Sequence, residues 1–391
     1  MGTDMDWRPR AAALARDVVH PSSRWHGPLA RTPRHLVVPR WWRYLPDEGG
    51  WTLRDGASDP QRWLNAAYSN RTLVTRVGSL HADDATAHDH PDGQPTSSST
   101  LPGLVVAMYR QAMITGESEV LCVTGSGYGT ALLTQRLGDR GVTSVDVDQY
   151  LVQAARERLK AFGSEPWVQV CDITGPLPGS YDRIVSTVGL PGVPPSWLTG
   201  LNSGGRLVTN LAGTGLVIAA DKTPDGGARG IVTRERAGFM SARAGEDYPP
   251  PPETGHAWTD EGDDVGTGRY PVVEVAETWE LYSVMALAAP GVEHSYAEDQ
   301  DGVRTAVMVH TDGSWSRATG RRGEQPTVHQ SGPRRLWSLL DGIRHDWLCD
   351  GALPVYGASA VIDPDGTLHL ARRQWSVVVP PAEQNVSVSA D

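Results

Sequence analysis

The segment Glu119-Val-Leu-Cys-Val-Thr-Gly-Ser-Gly-Tyr-Gly129 sets three glycines between an apolar run and a stretch, 130–137, with helical spacing. A strand that ends in glycines and feeds a helix brings backbone N–H groups and a helix N-terminus close to a ligand, where a Cβ would block the approach. About twenty residues after the glycines, a second apolar run, Val142-Thr-Ser-Val-Asp146, ends on a carboxylate suited to ribose hydroxyls. A third, Trp167-Val-Gln-Val-Cys171, leads into Asp172, where a carboxylate can meet an adenine amino group. The candidate ligand contacts are therefore Gly125, Ser126, Gly127, Tyr128, Asp146, Val147, Asp172 and Ile173. Taken singly, the glycines are equally a tight turn, and Asp146, Asp148 and Asp172 are equally loop or capping residues. Their βαβ order favours a nucleotide-type ligand. NAD-binding domains follow the same logic, so this pattern leaves the cofactor open.

Two further clusters carry polar chemistry. His81-Ala-Asp-Asp-Ala-Thr-Ala-His88-Asp-His90 is rich in potential ligands, but its spacing fits no recognised metal pattern. It reads as a mobile lid over a ligand, and no metal is expected. Ser98, Ser99 and Thr100 stand just before a helix expected to begin near Pro102. As hydroxyls they serve either as helix caps or as ligand contacts.

These residues need elements to position them. Residues 1–95 alternate short helical patterns with aromatic punctuation and end in a polar loop, 76–100. They read as an N-terminal extension and substrate-side lid. Residues 96–240 alternate apolar runs with helical periodicity, as in a doubly wound parallel α/β sheet. Strands are expected at 119–123, 142–146, 167–171, 181–185 and from 204, with helices at 101–115, 130–137 and 150–162. The prolines following Tyr248 cannot lie in a helix or central strand, so 241–258 reads as a linker. Residues 259–391 read as a smaller α+β domain for substrate recognition. Its hairpin turns fall at Asp312-Gly-Ser-Trp315 and Asp363-Pro-Asp-Gly366, and its amphipathic helix buries Leu336, Leu339, Leu340, Ile343 and Trp347.

Bulk properties narrow the function classes. A net charge of −11 gives no electrostatic reason to coat nucleic acid. The three cysteines form no CxxC pair, which argues against a structural zinc or a disulfide framework. No window is long and apolar enough for a membrane span, and no signal peptide is evident, so a cytoplasmic location is expected. Oligomeric state does not follow from the sequence.

Residues 119–138 with 142–159 resemble the class I S-adenosylmethionine-dependent methyltransferases. More narrowly, the chain resembles the protein-L-isoaspartate O-methyltransferases over roughly 10–215. The resemblance rests on Pro33-Arg-His-Leu-Val-Val-Pro39, Ala67-Tyr-Ser-Asn-Arg-Thr-Leu73 and Gly93-Gln-Pro-Thr-Ser-Ser-Ser-Thr-Leu-Pro102, in that order before the glycine turn. Tyr181-Asp-Arg-Ile-Val-Ser-Thr187, Pro195-Ser-Trp-Leu198 and Gly204-Gly-Arg-Leu207 continue it after the third strand. Cys122 stands where that family has an acid. The glycines align either without a gap or with one deleted residue, which matches Tyr128 to the family's tyrosine. The longer segment before the Ser/Thr cluster and the extra C-terminal domain are closest to the methyltransferases of ATP-grasp peptide (graspetide) maturation.

That resemblance implies a class I methyltransferase fold with S-adenosylmethionine as cofactor. It implies methylation of an Asp side chain in a macrocyclic precursor peptide, the ester then closing to an aspartimide. Isoaspartate repair, a lanthipeptide-pathway methyltransferase and a non-catalytic S-adenosylmethionine-binding module remain as alternatives. A carboxylate is already ionised at neutral pH, so the reaction needs no general base. The catalytic candidates are then Ser98, Ser99 and Thr100, holding one carboxylate oxygen in line.

Overall fold

The computed structural model describes residues 6–242, 248 and 250–383. The N-terminal part contributes helices α1 (Arg8–Val18), α2 (His26–Arg31), α3 (Arg34–Val37) and α4 (Pro60–Ala67). Pro60 opens α4 and Asp59 caps it, accepting from the Arg62 N–H, so the chain enters the helix at a fixed place. The same part builds an antiparallel sheet from β1 (Arg40–Leu45), β2 (Gly50–Asp55), β3 (Leu73–Val77), β4 (Leu80–His81) and β5 (Pro95–Ser99). The Ser/Thr cluster is thus strand as well as loop, and a domain boundary at 95/96 falls inside the sheet.

The expected α/β pattern follows, with α5 (Pro102–Gln111), β6 (Val120–Val123), α6 (Tyr128–Leu137), β7 (Val142–Asp146), α7 (Gln149–Lys160), β8 (Trp167–Val170), β9 (Tyr181–Leu190), α8 (Pro195–Gly200) and β10 (Leu201–Leu211). Strands β8-β7-β6-β9-β10 are all parallel, and the order reverses direction between β6 and β9. Every residue of β6 is buried, because helices pack on both faces of a parallel sheet. On one face Val105, Met108, Leu132 and Leu133 close the core, and on the other Ile184, Trp197 and Leu198 do so.

The antiparallel strands β11 (Leu216–Lys222) and β12 (Ala228–Arg236) widen the sheet. The chain then leaves it for a second antiparallel sheet of β13 (Asp264–Thr267), β14 (Glu293–Glu298), β15 (Val303–Val309), β16 (Trp315–Arg321) and β17 (Thr327–Ser331), with helices α9 (Trp279–Ala288) and α10 (Leu336–Cys349). This distal part has its own core, where Leu336 and Leu340 pack with Met285, Met308 and Trp337, and Leu339, Ile343 and Trp347 lie at its margin. The single C-terminal unit expected over 259–391 needs correction. After α10 the chain returns to the central sheet as β18 (Ser359–Ile362), β19 (Leu368–Arg372) and β20 (Trp375–Val379). Those strands are apolar enough to share the central core through Ala360, Ile362, Leu368, Leu370 and Val379. Both expected hairpin turns are present, linking β15 to β16 and β18 to β19. Within the proline-rich stretch 241–258, residues 243–247 and 249 lie outside the described residues.

Residues 82–94 of the expected loop carry no helix or strand, while β3–β5 take in its two ends, and the loop is held in place by side chains. His81 is buried, and Asp83 accepts from Arg158 and from Tyr150 Oη (2.7 Å) on α7. Arg40 donates to the carbonyls of Asp83 and Ala85, at 2.7 Å each. These partners lie 43–75 residues away in sequence, out of reach of any local pattern. His88 and His90 are exposed, apart from His81, and the described residues hold no group of three or more His, Cys, Asp or Glu arranged around a common metal position.

Two half-buried histidines resist protonation. His35 sits among Trp7, Trp63 and Tyr68, 2.7 Å from Tyr68 Oη, and burial lowers its pKa from 6.5 to about 4. Burial lowers His294 to about 4 as well. Their folded-state pKa values lie below the unfolded ones, so the unfolded chain takes up protons first as pH falls. Folding stability is therefore complete above pH 6.5 and decreases toward pH 4. Denaturant midpoints at pH 7.5 and pH 5 should show this fall, and His35→Gln should remove part of it, leaving the share of His294.

Candidate functional site

A cavity of about 380 Å³ opens at the C-terminal ends of β6 and β7, beside the point where strand order reverses. Open α/β sheets bind ligands at this position. Seven of the eight candidate ligand contacts line it: Gly125, Ser126, Tyr128, Asp146, Val147, Asp172 and Ile173. Gly127 does not. It lies beneath the turn as the N-cap of α6 with φ +87°, and a Cβ there would come within 3.3 Å of Ala155 on α7. Its role is close packing of the turn on the neighbouring helix. Gly125, with φ +48°, faces the cavity opposite the Ser98 carbonyl.

The turn is held from both sides. Asp146 accepts from the Gly125 N–H (2.9 Å) through one oxygen and from the Asp148 N–H (3.1 Å) through the other. The carboxylate therefore has a fixed orientation at the end of β7. Asp148 caps α7 and is paired with Arg76 of β3 at 2.7 Å. Asp172 accepts from the backbone and hydroxyl of Thr174 through Oδ1. Beneath the turn, Thr124 and Thr130 both hydrogen-bond the Ser144 hydroxyl, at 2.7 and 2.8 Å. The Cys122 thiol lies 3.8 Å from Thr130, and burial pushes its pKa up to about 11. Cys122 is thus a neutral part of the packed floor, outside the cavity lining.

One member of the hydroxyl cluster is set apart from the others. Ser98 and Thr100 line the cavity, whereas Ser99 turns the other way and is fully buried. The helix-cap reading of the cluster does not hold. The first residue before α5 is Leu101, and its N–H is taken by Thr72 Oγ1 (3.2 Å) and that of Gly103 by Asn70 Oδ1 (2.8 Å). Asn70 and Thr72 thereby leave the Ser98 and Thr100 hydroxyls to the cavity.

Ser99 meets Arg34, a residue the sequence reading did not single out. Arg34 is fully buried, with its Nε 3.3 Å from Ser99 Oγ. Its other nitrogens donate to the carbonyls of Ala67, Ser69, Arg71, Ser99 and Thr100, at 2.8–3.2 Å. Its guanidinium also covers the Tyr128 ring at 5.1 Å. Burial lowers its pKa to about 10, so it remains charged at neutral pH. Arg34 lies within the motif Pro33–Pro39, but nothing in the local pattern distinguishes it from a surface arginine.

The far wall was also missed. Arg236, at the end of β12, lines the cavity with Phe239, Met240 and Tyr248. The chain there runs beside β9, with the Gly189 N–H donating to Met240 and the Ala242 N–H to Gly189. Among the described residues, Arg236 is the cation lining a cavity whose carboxylates are Asp146 and Asp172. Its placement depends on a bend after β12 that no local pattern marks.

Residues 88–233 match the family model described as protein-L-isoaspartate(D-aspartate) O-methyltransferase (PCMT). The central domain is PCMT-like. Its strand order and glycine turn are those of the class I S-adenosylmethionine-dependent methyltransferase fold. Similar proteins include the protein-L-isoaspartate O-methyltransferases of Thermotoga maritima, at 29% identity over 134 residues, and of Protochlamydia amoebophila, at 36% over 143. Protein-L-isoaspartate O-methyltransferase 2 of Pelobacter propionicus is 38% identical over 128 residues. The aligned parts cover 31–34% of this chain and 42%, 65% and 55% of those relatives, respectively. The PCMT-like stretch ends inside β12, before Arg236, and leaves out the distal sheet and β18–β20.

Replacing Arg34 tests whether it joins the extension to this domain. Arg34→Met leaves several buried carbonyls unpaired and should lower folding stability by about 3 kcal/mol or more. Arg34→Lys should recover little, because an ammonium cannot span a planar fan of acceptors. Denaturant unfolding measures both. A Lys variant as stable as wild type would show that charge alone suffices.

Proposed function

We propose that this chain is an S-adenosylmethionine-dependent carboxyl O-methyltransferase that acts on an Asp side chain in a ribosomally made, ligase-macrocyclised peptide. The ester then closes to an aspartimide. The observation that carries the chemistry is one cavity in which the Ser98 and Thr100 hydroxyls and the Arg236 guanidinium share the lining with a nucleotide-type crevice around Asp146.

The residues suit the cofactor. Gly125 keeps the turn open where a side chain would project, Asp146 is oriented for ribose hydroxyls, and Asp172 stands at the end of the next strand for the adenine amino group. When bound, S-adenosylmethionine supplies a methyl group on a positively charged sulfur. The protein's task is alignment and exclusion of water, because the nucleophile is already ionised. Ser98 and Thr100 donate to one carboxylate oxygen and leave the other free to take the methyl group. Arg236 offsets the substrate's charge as it leaves water. Ser99 is a positioning residue, acting through Arg34.

The ester is a better electrophile than the carboxylate it replaces. The amide nitrogen of the next residue attacks its carbonyl carbon, a C–N bond forms, the C–O bond to methoxide breaks, and the amide proton leaves with it as methanol. This closure needs no residue of the protein. The similarity to isoaspartate repair enzymes supports a second reading, in which the same cavity methylates an isoaspartyl carboxylate.

Asp146→Ala should weaken S-adenosylmethionine binding by about 2–4 kcal/mol through loss of charge-assisted hydrogen bonds, as read by calorimetry. Ser98→Ala with Thr100→Ala should keep that binding within a few-fold and cut turnover by a factor on the order of a hundred. Ser99→Ala should lower stability more than either. Equal turnover in the double variant would remove the hydroxyls from the reaction.

Substrate class is tested by competition, offering cyclised precursor, linear precursor and an isoaspartyl peptide to one enzyme sample. A cyclised peptide has less chain entropy to lose on binding and should be methylated first. Preference for the isoaspartyl peptide would establish repair instead.

A further inference from the structure

The ten-stranded sheet ends in an open edge. A two-residue turn at Arg373 and Gln374 joins β19 to β20, and Arg372 pairs with Trp375 to close it. The closing pair of such a hairpin is hydrogen-bonded, so Leu370 with Val377 and Leu368 with Val379 are as well. The backbone N–H and C=O groups of Ser376 and Val378 therefore point away from β19. No described residue pairs with them, and Val378 is 60% exposed. Most edges of this kind are blunted by charge, proline or a bulge. Here Ser376, Val377 and Val378 form a smooth, β-favouring edge with none of these.

A groove of about 520 Å³ runs between this edge, α9 and α10. Its walls are apolar, built from Val284, Leu287, Ile343, Trp347, Trp375 and Val377. Its margin carries three carboxylates, Glu280, Asp346 and Asp350, against one cation, Arg372, whose guanidinium donates to the Tyr356 carbonyl; none of the three carboxylates has an ion-pair or side-chain hydrogen-bond partner among the described residues. An unpaired edge, an apolar floor at strand spacing and unneutralised carboxylates are complementary to one kind of occupant. It is an extended segment that alternates apolar side chains with Lys or Arg.

We propose that this groove binds an extended, cationic segment of the peptide substrate by adding it as a strand to β20. Main-chain bonds to Ser376 and Val378 supply register, the floor takes alternate side chains, and the acidic margin selects for positive charge. The proposal rests on the reading of the substrate as a peptide. From β9, which borders the cavity, to β20 is six strand spacings, or about 29 Å across the sheet. About nine extended residues span that distance. The recognised segment is thus separate from the acceptor Asp, and the enzyme engages its substrate at two places.

The probe is a synthetic seven-residue peptide alternating valine with lysine and threonine, titrated into the full chain by calorimetry. Protection of Cys349, which is exposed on the groove margin, from alkylation by iodoacetamide reports occupancy directly. Val378→Pro removes an outward N–H and no bond to β19, so the fold should keep its denaturant midpoint while peptide affinity falls at least tenfold. Glu280→Gln with Asp346→Asn and Asp350→Asn should weaken the lysine peptide tenfold and leave an all-threonine analogue unchanged. An N-methyl group on alternate peptide amides should abolish binding in one register and spare it in the other. Undetectable binding to wild type, or full affinity in a folded Val378→Pro variant, overturns the proposal. Methyl transfer to a short acceptor peptide without the cationic segment, measured on the same variant, separates this outcome from failure of the methyltransferase reading.

Discussion

The geometry of the site depends on one buried cation. Arg34 has no carboxylate partner among the described residues, and moving a guanidinium out of water costs several kcal/mol. What offsets this cost is a set of neutral acceptors gathered from three separate stretches: the end of α4 through Arg71, the Ser99–Thr100 corner, and the face of Tyr128. None of these stretches would take its observed path without the others, because each carbonyl turned inward needs the shared donor. The consequence is register. With Ser99 tied to Arg34, its neighbours Ser98 and Thr100 line the cavity.

This explains which parts of the molecule were legible in the sequence. Local periodicity located the parallel strands and their helices to within a few residues, since a buried strand and an amphipathic helix each write their period into the chain. The glycine turn, Asp146 and Asp172 were legible for the same reason, as their positions relative to strand ends follow from βαβ order alone. Ser99 was placed in the site with Ser98 and Thr100 because three adjacent hydroxyls look alike until the partner of one is known. That partner is 65 residues away. The anchoring of the segment 81–90 was hidden for a similar reason. One of its three acidic residues, Asp83, reads as a solvent-facing charge until Arg158 and Tyr150 are brought against it.

The return of the chain to the central sheet was hidden by a different limit. A strand of alternating apolar residues fits any sheet with a free edge, and β18–β20 carry no mark that assigns them to the central sheet over the distal one. What decides it is the core. Ile362, Leu368 and Leu370 fill the same apolar layer as Ile218 and Val232, and that layer needs covering beyond β12. The sequence holds this information only as an unpaired apolar face on a strand far upstream.

The distal part is therefore more than an appendage inserted between β12 and β18. Arg236, in the lining of the cavity, donates to the carbonyl of Ala276, just before α9. Ser283 on α9 donates to the carbonyl of Thr214, in the turn between β10 and β11. Trp279 packs beside Gly215 in that turn and stacks on Tyr356, which precedes β18. The helix α9 thus touches the loop behind the cavity, the cation within it and the segment leading to the open edge. A groove formed by α9, α10 and β20 and a cavity walled by Arg236 share this one support.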